Sequence, residues 1–457
     1  MNILHKYITS IILFATSLLI FIGCENDYSY RPTATSLSLS ADTVSFDTIF
    51  TGRITETSGL LVYNESGENL IIDRIYLGKG DKSHFNVNIN GCAAPIAECI
   101  RLQKRDSLYI FVNVEPPATN DNQPFAIEDD LIVEAGSNRW TAKLLAYGQN
   151  YIPLTGNIST DMQLTDNKPY IVSGDCIVDS VATLSAGANT KIYFSENASL
   201  TVYGTLCISG TRDKNVVIKS TRLYQFYDDI PGQWGAITLM PGSKKNIIEF
   251  AEIANATYGI IADSTAELTM RNTVVRDASR GGIVAYGAKI NIANALMYNC
   301  GGALLAVYGG ECTLVHSTLS NYFRWNIRRQ ATVQISSELQ CPKIDQVTIA
   351  NSIIVGNLTY ELLLDSAATN NILITNTLLK SNLNYNDDIR YANIITETSP
   401  LFRDSENFDF HLVPASIAID LGDMKHTTAT PLDFDGNSRI ADSKPDLGAF
   451  EYVERDK

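Results

Sequence analysis

Leu268-Thr269-Met270-Arg271-Asn272-Thr273-Val274-Val275 decides the fold, because its frame returns four more times. It comes back as Ile290-Asn291-Ile292-Ala293-Asn294-Ala295-Leu296-Met297 and as Cys312-Thr313-Leu314-Val315-His316-Ser317-Thr318-Leu319. Two further copies are Val347-Thr348-Ile349-Ala350-Asn351-Ser352-Ile353-Ile354 and Ile372-Leu373-Ile374-Thr375-Asn376-Thr377-Leu378-Leu379. Ile248-Glu249-Phe250-Ala251-Glu252 opens the series, which puts Glu252 in frame with Asn272, Asn294, His316, Asn351 and Asn376, at separations of 20, 22, 22, 35 and 25 residues. Each unit is a short apolar alternation, one polar residue and a second apolar pair. Alternate residues of a strand face opposite sides, so each unit carries an apolar face that it cannot bury alone. Stacking the units on one another buries it.

A period near 22 with two-residue alternation fits one coil of a right-handed parallel β-helix, whose strands lie about 4.8 Å from those of the next coil. Leucine-rich repeats have a similar period but need Leu-x-x-Leu-x-Leu, which is absent from these units. Leu200-Thr201-Val202, Leu206-Cys207-Ile208, Val216-Val217-Ile218 and Gln233-Trp234-Gly235-Ala236-Ile237 extend the stack towards the N-terminus. The chain therefore reads as all-β, with the coils over 149–395. This block resembles the pectate-lyase-like β-helix superfamily, a likeness that implies a polysaccharide lyase or glycoside hydrolase by association of fold alone.

The start reads as an address. Lys6 precedes a run from Ile8 to Ile22, too short to span a bilayer, which needs roughly 20 apolar residues. Phe21-Ile22-Gly23-Cys24 resembles the lipobox of bacterial lipoproteins, which implies a signal peptide over 1–23, lipid attachment at Cys24 and a tether over 24–34. Glu25-Asn26-Asp27 resembles the signal that sends Bacteroidetes-type lipoproteins to the cell surface. The expectation is an outer-membrane protein held by its N-terminal lipid, since several acyl chains anchor stably where one does not.

Between 35 and 148, short runs such as Asp42-Thr43-Val44-Ser45-Phe46, Gly59-Leu60-Leu61-Val62-Tyr63 and Ser107-Leu108-Tyr109-Ile110-Phe111-Val112 predict a β-sandwich. With Asn64-Glu65-Ser66-Gly67 and Val114-Glu115-Pro116-Pro117 the series resembles immunoglobulin-like domains of the ASPM-SPD-2-hydin type, which implies a spacer or adhesive module. From 396 to 457, Phe408-Asp409-Phe410-His411-Leu412, Ala418-Ile419-Asp420-Leu421-Gly422 and Asp446-Leu447-Gly448-Ala449-Phe450-Glu451 resemble the choice-of-anchor Q segment found after β-helices. Such a segment is expected to cap the open end of the stack, whose unpaired strand edges invite aggregation.

The chain carries 35 Lys and Arg against 50 Asp and Glu, a formal charge of −15. Nucleic acid is excluded as a partner, since it needs clustered basic charge. Acidic polysaccharide is excluded too, unless a local basic patch overcomes the field. Of the eight cysteines, Cys92 and Cys99 could close a small disulfide in an oxidising compartment. No Cys/His cluster indicates a metal, and no cofactor is implied; Asp433-Phe434-Asp435-Gly436-Asn437 spaces its oxygens like the start of a calcium loop but lacks the glutamate that completes one.

The column Asn272, Asn294, His316, Asn351 and Asn376 reads as a structural ladder whose side chains satisfy backbone groups at the bend of each coil. A second column, Asp277, Asn299, Asn321, Asn357 and Asn382, serves the next turn, with Thr257 expected above Asp277. Glu252 and His316 would lie three coils apart, roughly 14 Å, too far to act on one glycosidic bond. No stacked carboxylates appear in the aligned frame. Function is left to the loops. The insertion after His316 holds Tyr322-Phe323-Arg324-Trp325-Asn326-Ile327-Arg328-Arg329, a concentration of positive charge beside aromatics. Tyr322, Arg324, Trp325, Arg328 and Arg329 are the candidate contacts, because aromatic rings stack on sugars and guanidinium groups grip carboxylates or sulfates in pairs. The expectation is a surface protein that binds glycan or another surface ligand without cleaving it, with catalysis or a purely architectural role as alternatives. The sequence assigns no oligomeric state.

Overall fold

The computed structural model describes residues 30, 36–337, 343–364, 371–385, 388–396, 398–399 and 401–454. Cys24, the signal peptide expected over 1–23 and Cys341 lie outside them. Among the described residues no helix is long and apolar enough to cross a membrane. The chain divides into two compact units, Met1–Ala118 with Pro124–Gln149, and Thr119–Gln123 with Asn150–Lys457.

The first unit is a β-sandwich. One sheet orders the strands Leu37–Leu39, Ser58–Asn64, Ser107–Val114, Phe85–Ile89 and Cys92–Ala93. The other orders Thr43–Phe50, Asn138–Gln149, Phe125–Ala135, Leu70–Leu77 and Ile96–Leu102. Alternation decides which side chains go inside: Leu108, Ile110, Val112 and Val114 are buried, and Ser107, Tyr109, Phe111 and Asn113 point the other way. Phe46 of one sheet meets Phe85 of the other across the core, ring centroids 6.1 Å apart. The expected disulfide is corrected. Cys92 sits on the edge strand of one sheet and Cys99 on that of the other, and both are exposed free thiols.

The second unit is a right-handed parallel β-helix. Among its described residues 25 strands join in one continuous sheet whose pairings are all parallel. Register follows the repeat: Leu268 pairs with Ile290, Ile290 with Cys312, and Cys312 with Val347. Inward apolar residues of successive coils stack into one core, where Trp234 lies on Phe194 with centroids 4.1 Å apart.

The asparagine column turns a corner of each coil. Asn272, Asn294, His316, Asn351 and Asn376 have φ between 46° and 54°. This left-handed conformation strains most side chains, whereas asparagine tolerates it and hydrogen-bonds locally. Asn294 Nδ2 donates to Asn272 Oδ1, and Asn351 Nδ2 lies 3.1 Å from His316 Nε2. Burial pushes the His316 imidazole down to about 2, so it stays neutral, as a ladder member should. The start of the column is corrected. Glu249 pairs with Arg271, so Phe250, φ 49°, occupies the position assigned to Glu252. Glu252 pairs with Val274 instead, and its carboxylate takes the Arg276 guanidinium at 2.7 Å. By the same shift Asn255, not Thr257, stands above Asp277, since Ala254 pairs with Arg276.

The C-terminal segment is a strap along the flank of the coils, a correction to the cap expected over the open end. Its backbone and side chains dock on the ladder turns. Leu421 O accepts from Asn376 Nδ2 at 2.8 Å, Asp423 N donates to Asn351 Oδ1 at 2.8 Å, and Gly448 N donates to Asn351 O at 2.9 Å. Ala449 N donates to Thr318 Oγ1, Arg439 Nη2 to Asn294 Oδ1, and Arg212 Nε to Phe434 O. Asp433 accepts from Asn437 and from Glu451 N, so its oxygens are used within the strap.

His411 is held in the strap between Asp435, 2.8 Å from Nε2, and Asp409 at Nδ1. The bond to Asp435, then that to Asp409, raises its pKa above the ordinary value. A raised folded-state pKa stabilises while histidine is charged in both states, fully below about pH 6.5, and the gain disappears as pH rises through the folded value. Melting curves of the protein and of His411→Gln should therefore differ most at about pH 6 and draw together as pH rises through the raised folded-state value.

Candidate ligand groove on the β-helix

Ser279-Arg280 and Cys300-Gly301-Gly302-Ala303 are the turns that lead into two stacked strands, Gly281–Tyr286 and Leu305–Tyr308. Glycine lets these turns approach closely: a Cβ on Gly302 would lie 2.0 Å from Arg280 O of the preceding coil. Ile283, Ala285, Leu305 and Val307 face the core, which sends Val284, Tyr286, Ala306 and Tyr308 outward. Over these residues lies a cavity of about 410 Å³, a size typical of ligand sites.

Its floor is apolar, from Val284, Ala303 and Ala306, with Tyr258 and Tyr308 packed against them. Tyr286 and Tyr308 are register partners with near-parallel rings, 5.3 Å apart and 15° inclined. Polar groups come from Ser279, Gln330 and two exposed arginines, Arg280 and Arg329. Neither arginine forms an ion pair among the described residues. No Asp or Glu lines the cavity among the described residues. A basic, aromatic groove on an acidic protein is the local patch that a negatively charged ligand would need.

The insertion supplies part of this site, and four of its five candidates lie elsewhere. Arg329 and Ile327 line the groove. Arg328 is corrected as a ligand contact: it is buried, and its guanidinium grips the Glu361 carboxylate with both terminal nitrogens, at 2.5 and 2.8 Å. Trp325 Nε1 donates to Asp229 O at 2.9 Å, Arg324 stacks its guanidinium 4.2 Å from the Phe408 ring centroid, and Lys380 Nζ lies 5.9 Å from that of Tyr322. These contacts fasten the insertion to neighbouring loops and the strap. Arg280 and the three tyrosines were missed in sequence. Their signal was a repeat in a different position: Ala285-Tyr286-Gly287 and Val307-Tyr308-Gly309 share one place in successive coils.

The loop Tyr224 to Trp234 is structural. Gln233 Nε2 donates to the carbonyls of Tyr227 and Ile230, and Asn255 Nδ2 to that of Asp228. Among the described residues no three His, Cys, Asp or Glu side chains gather as a metal site.

No curated protein matches the chain by sequence. Among solved structures, a family 123 glycoside hydrolase from Clostridium perfringens that hydrolyses glycolipid glycans is similar over 26% of this chain and 30% of its own, at 8% identity and a TM-score of 0.19. A likeness that slight carries no argument. Residues 174–321, the coils that build most of the groove, match the model of the right handed beta helix region, so the chain shares the fold of those proteins.

Proposed function

We propose that the protein is a lipid-anchored surface protein that holds an acidic glycan in this groove without cleaving it. One observation carries the reading: Arg280 and Arg329, with no ion-pair partner among the described residues, flank an aromatic cavity. Guanidinium forks suit the carboxylates or sulfates of such a chain, and the tyrosines suit the apolar faces of its sugar rings. Glycoside hydrolysis calls for two carboxylates about 5 to 9.5 Å apart, and the described lining offers none. A lyase is the second reading, because a uronate carboxylate neutralised by Arg280 or Arg329 beside a tyrosine hydroxyl is poised for proton abstraction. The Gly23-Cys24 junction supports the anchor, and Glu25 to Asp27 the cell-surface address; protease sensitivity on intact cells tests both.

The mature chain should be applied to a panel of acidic and neutral polysaccharides while retention and the release of reducing or unsaturated ends are both measured. Retention of acidic chains without release is expected. Release of unsaturated ends would replace binding by the lyase reading. Arg280→Ala and Arg329→Ala should each weaken retention by roughly tenfold or more, because a hydrogen bond to a charged group is worth about 1.5–3 kcal/mol. Tyr308→Ala should weaken it as well.

A further inference from the structure

The two outer faces of the sandwich differ in kind. On the sheet that contains Leu70–Leu77 and Phe125–Ala135, charged side chains cover the outside and pair across strands, as Arg74 does with Glu134 and Lys143 with Glu128. The other sheet bears no charge on its outward rows. Gly59, Leu61 and Tyr63 of one strand stand beside Phe111, Tyr109 and Ser107 of the next, and Asn113 and Phe111 stand beside Asn86 and Asn88. In a chain whose residues are 19% charged, an outward face of several strands without Asp, Glu, Lys or Arg needs a reason.

The exposed groups are large. Tyr109 is 54% and Phe111 46% accessible, and their near-parallel rings lie 5.8 Å apart. Gly59, the cross-strand partner of Phe111, leaves open space beside that ring: a Cβ there would meet nothing within 4 Å. Water-exposed aromatic area of this kind marks an interaction site more often than a structural need. The polar groups beside it are amides. Asn86 Nδ2 donates to Asn113 Oδ1 at 3.0 Å. Asn86 also lines a cavity of about 290 Å³ with Phe85, Ser83 and Pro95 at the sheet margin, where Asp81 adds a carboxylate.

We infer that this face is a second binding site, for an uncharged oligosaccharide. A neutral sugar presents axial C–H groups to an aromatic ring and equatorial hydroxyls to amides, and it asks for no counter-charge. An acidic glycan would find no cation on these strands, and the nearest acids, Glu65, which accepts from Ser38 Oγ, and Asp81 at the margin, would repel it. The site is independent of the groove on the coils.

The mature chain should be titrated with neutral hexasaccharides of glucose, xylose and mannose, followed by calorimetry and by saturation transfer to the sugar protons. Binding of at least one is expected, weakened tenfold or more by Tyr109→Ala and by Phe111→Ala, and unchanged by Arg280→Ala with Arg329→Ala. Equal melting temperatures will establish that the variants fold, since each side chain is outside the core. No binding to any of the three hexasaccharides would overturn the inference, as would binding indifferent to Tyr109 and Phe111. A change of oligomeric state in the Tyr109 or Phe111 variants without sugar binding would overturn it in favour of a second copy of the chain.

Discussion

Replacing Glu361 by alanine is expected to cost roughly 3–5 kcal/mol of stability and to abolish glycan retention in the groove, because it strands a buried cation. Arg328 and Glu361 are both fully buried. Beyond its pair with Arg328, the Glu361 carboxylate accepts from Thr332 N at 3.0 Å, Thr332 Oγ1 at 2.7 Å and Leu358 N at 2.7 Å. Arg328 in turn reaches Asn321 O and Asn357 Oδ1. The pair thus ties the insertion to the coil that receives it, and Arg329 and Gln330, which line the groove, follow directly in the chain. Glu361→Ala leaves the guanidinium without its counter-charge. The double change Arg328→Met with Glu361→Leu removes both charges and should be milder than Glu361→Ala alone, while still weakening retention. Chemical denaturation of the three proteins measures the first effect and glycan retention the second. Equal stability of Glu361→Ala and the parent would show that the pair is solvated.

The second large effect is expected at Arg439, whose replacement by alanine should release the strap. This arginine is buried; Nη1 meets Glu451 Oε1 at 2.6 Å, and Nη2 meets Asn294 Oδ1 at 2.7 Å and Ala449 O at 3.2 Å. Without it a buried carboxylate loses its partner and the ladder loses its contact, a loss of roughly 3–5 kcal/mol for a buried ion pair broken on one side. The loss should fall first on the strap, because the coils keep their own core. Limited proteolysis should then cut between 396 and 454 well before any cut in 174–321, and hydrogen exchange at the amides of Asp423, Gly448 and Ala449 should accelerate. A single late transition in which strap and coils are lost together would contradict this order.

The coils were legible in sequence because burial imposes a pattern that any unit must repeat, and the pairing of Leu268, Ile290, Cys312 and Val347 follows the frame read from it. The start of the column was misplaced for a physical reason. A strand shifted by two residues keeps every side chain on its own face, so alternation cannot tell Phe250 from Glu252. Backbone conformation can, since Phe250 takes the left-handed turn. The site was half legible. Positive charge in the insertion was visible, but its destinations depended on residues far along the chain: Asp229 for Trp325, Phe408 for Arg324 and Glu361 for Arg328. An arginine is equally at home in a ligand site and in a buried pair. Only the third dimension distinguished Arg328 from Arg329.

The strap also changes how the coiled unit comes apart. A bare stack holds each coil only to its neighbours, so it can fray one layer at a time from either end. Bonds from one segment to Asn294, Thr318, Asn351 and Asn376 span four successive layers. Opening the last layer therefore means peeling that segment as well, which makes the layers it crosses yield as a cooperative block. The same segment leaves the ribosome after the coils it docks on, so the ladder stands uncovered until the strap has been made.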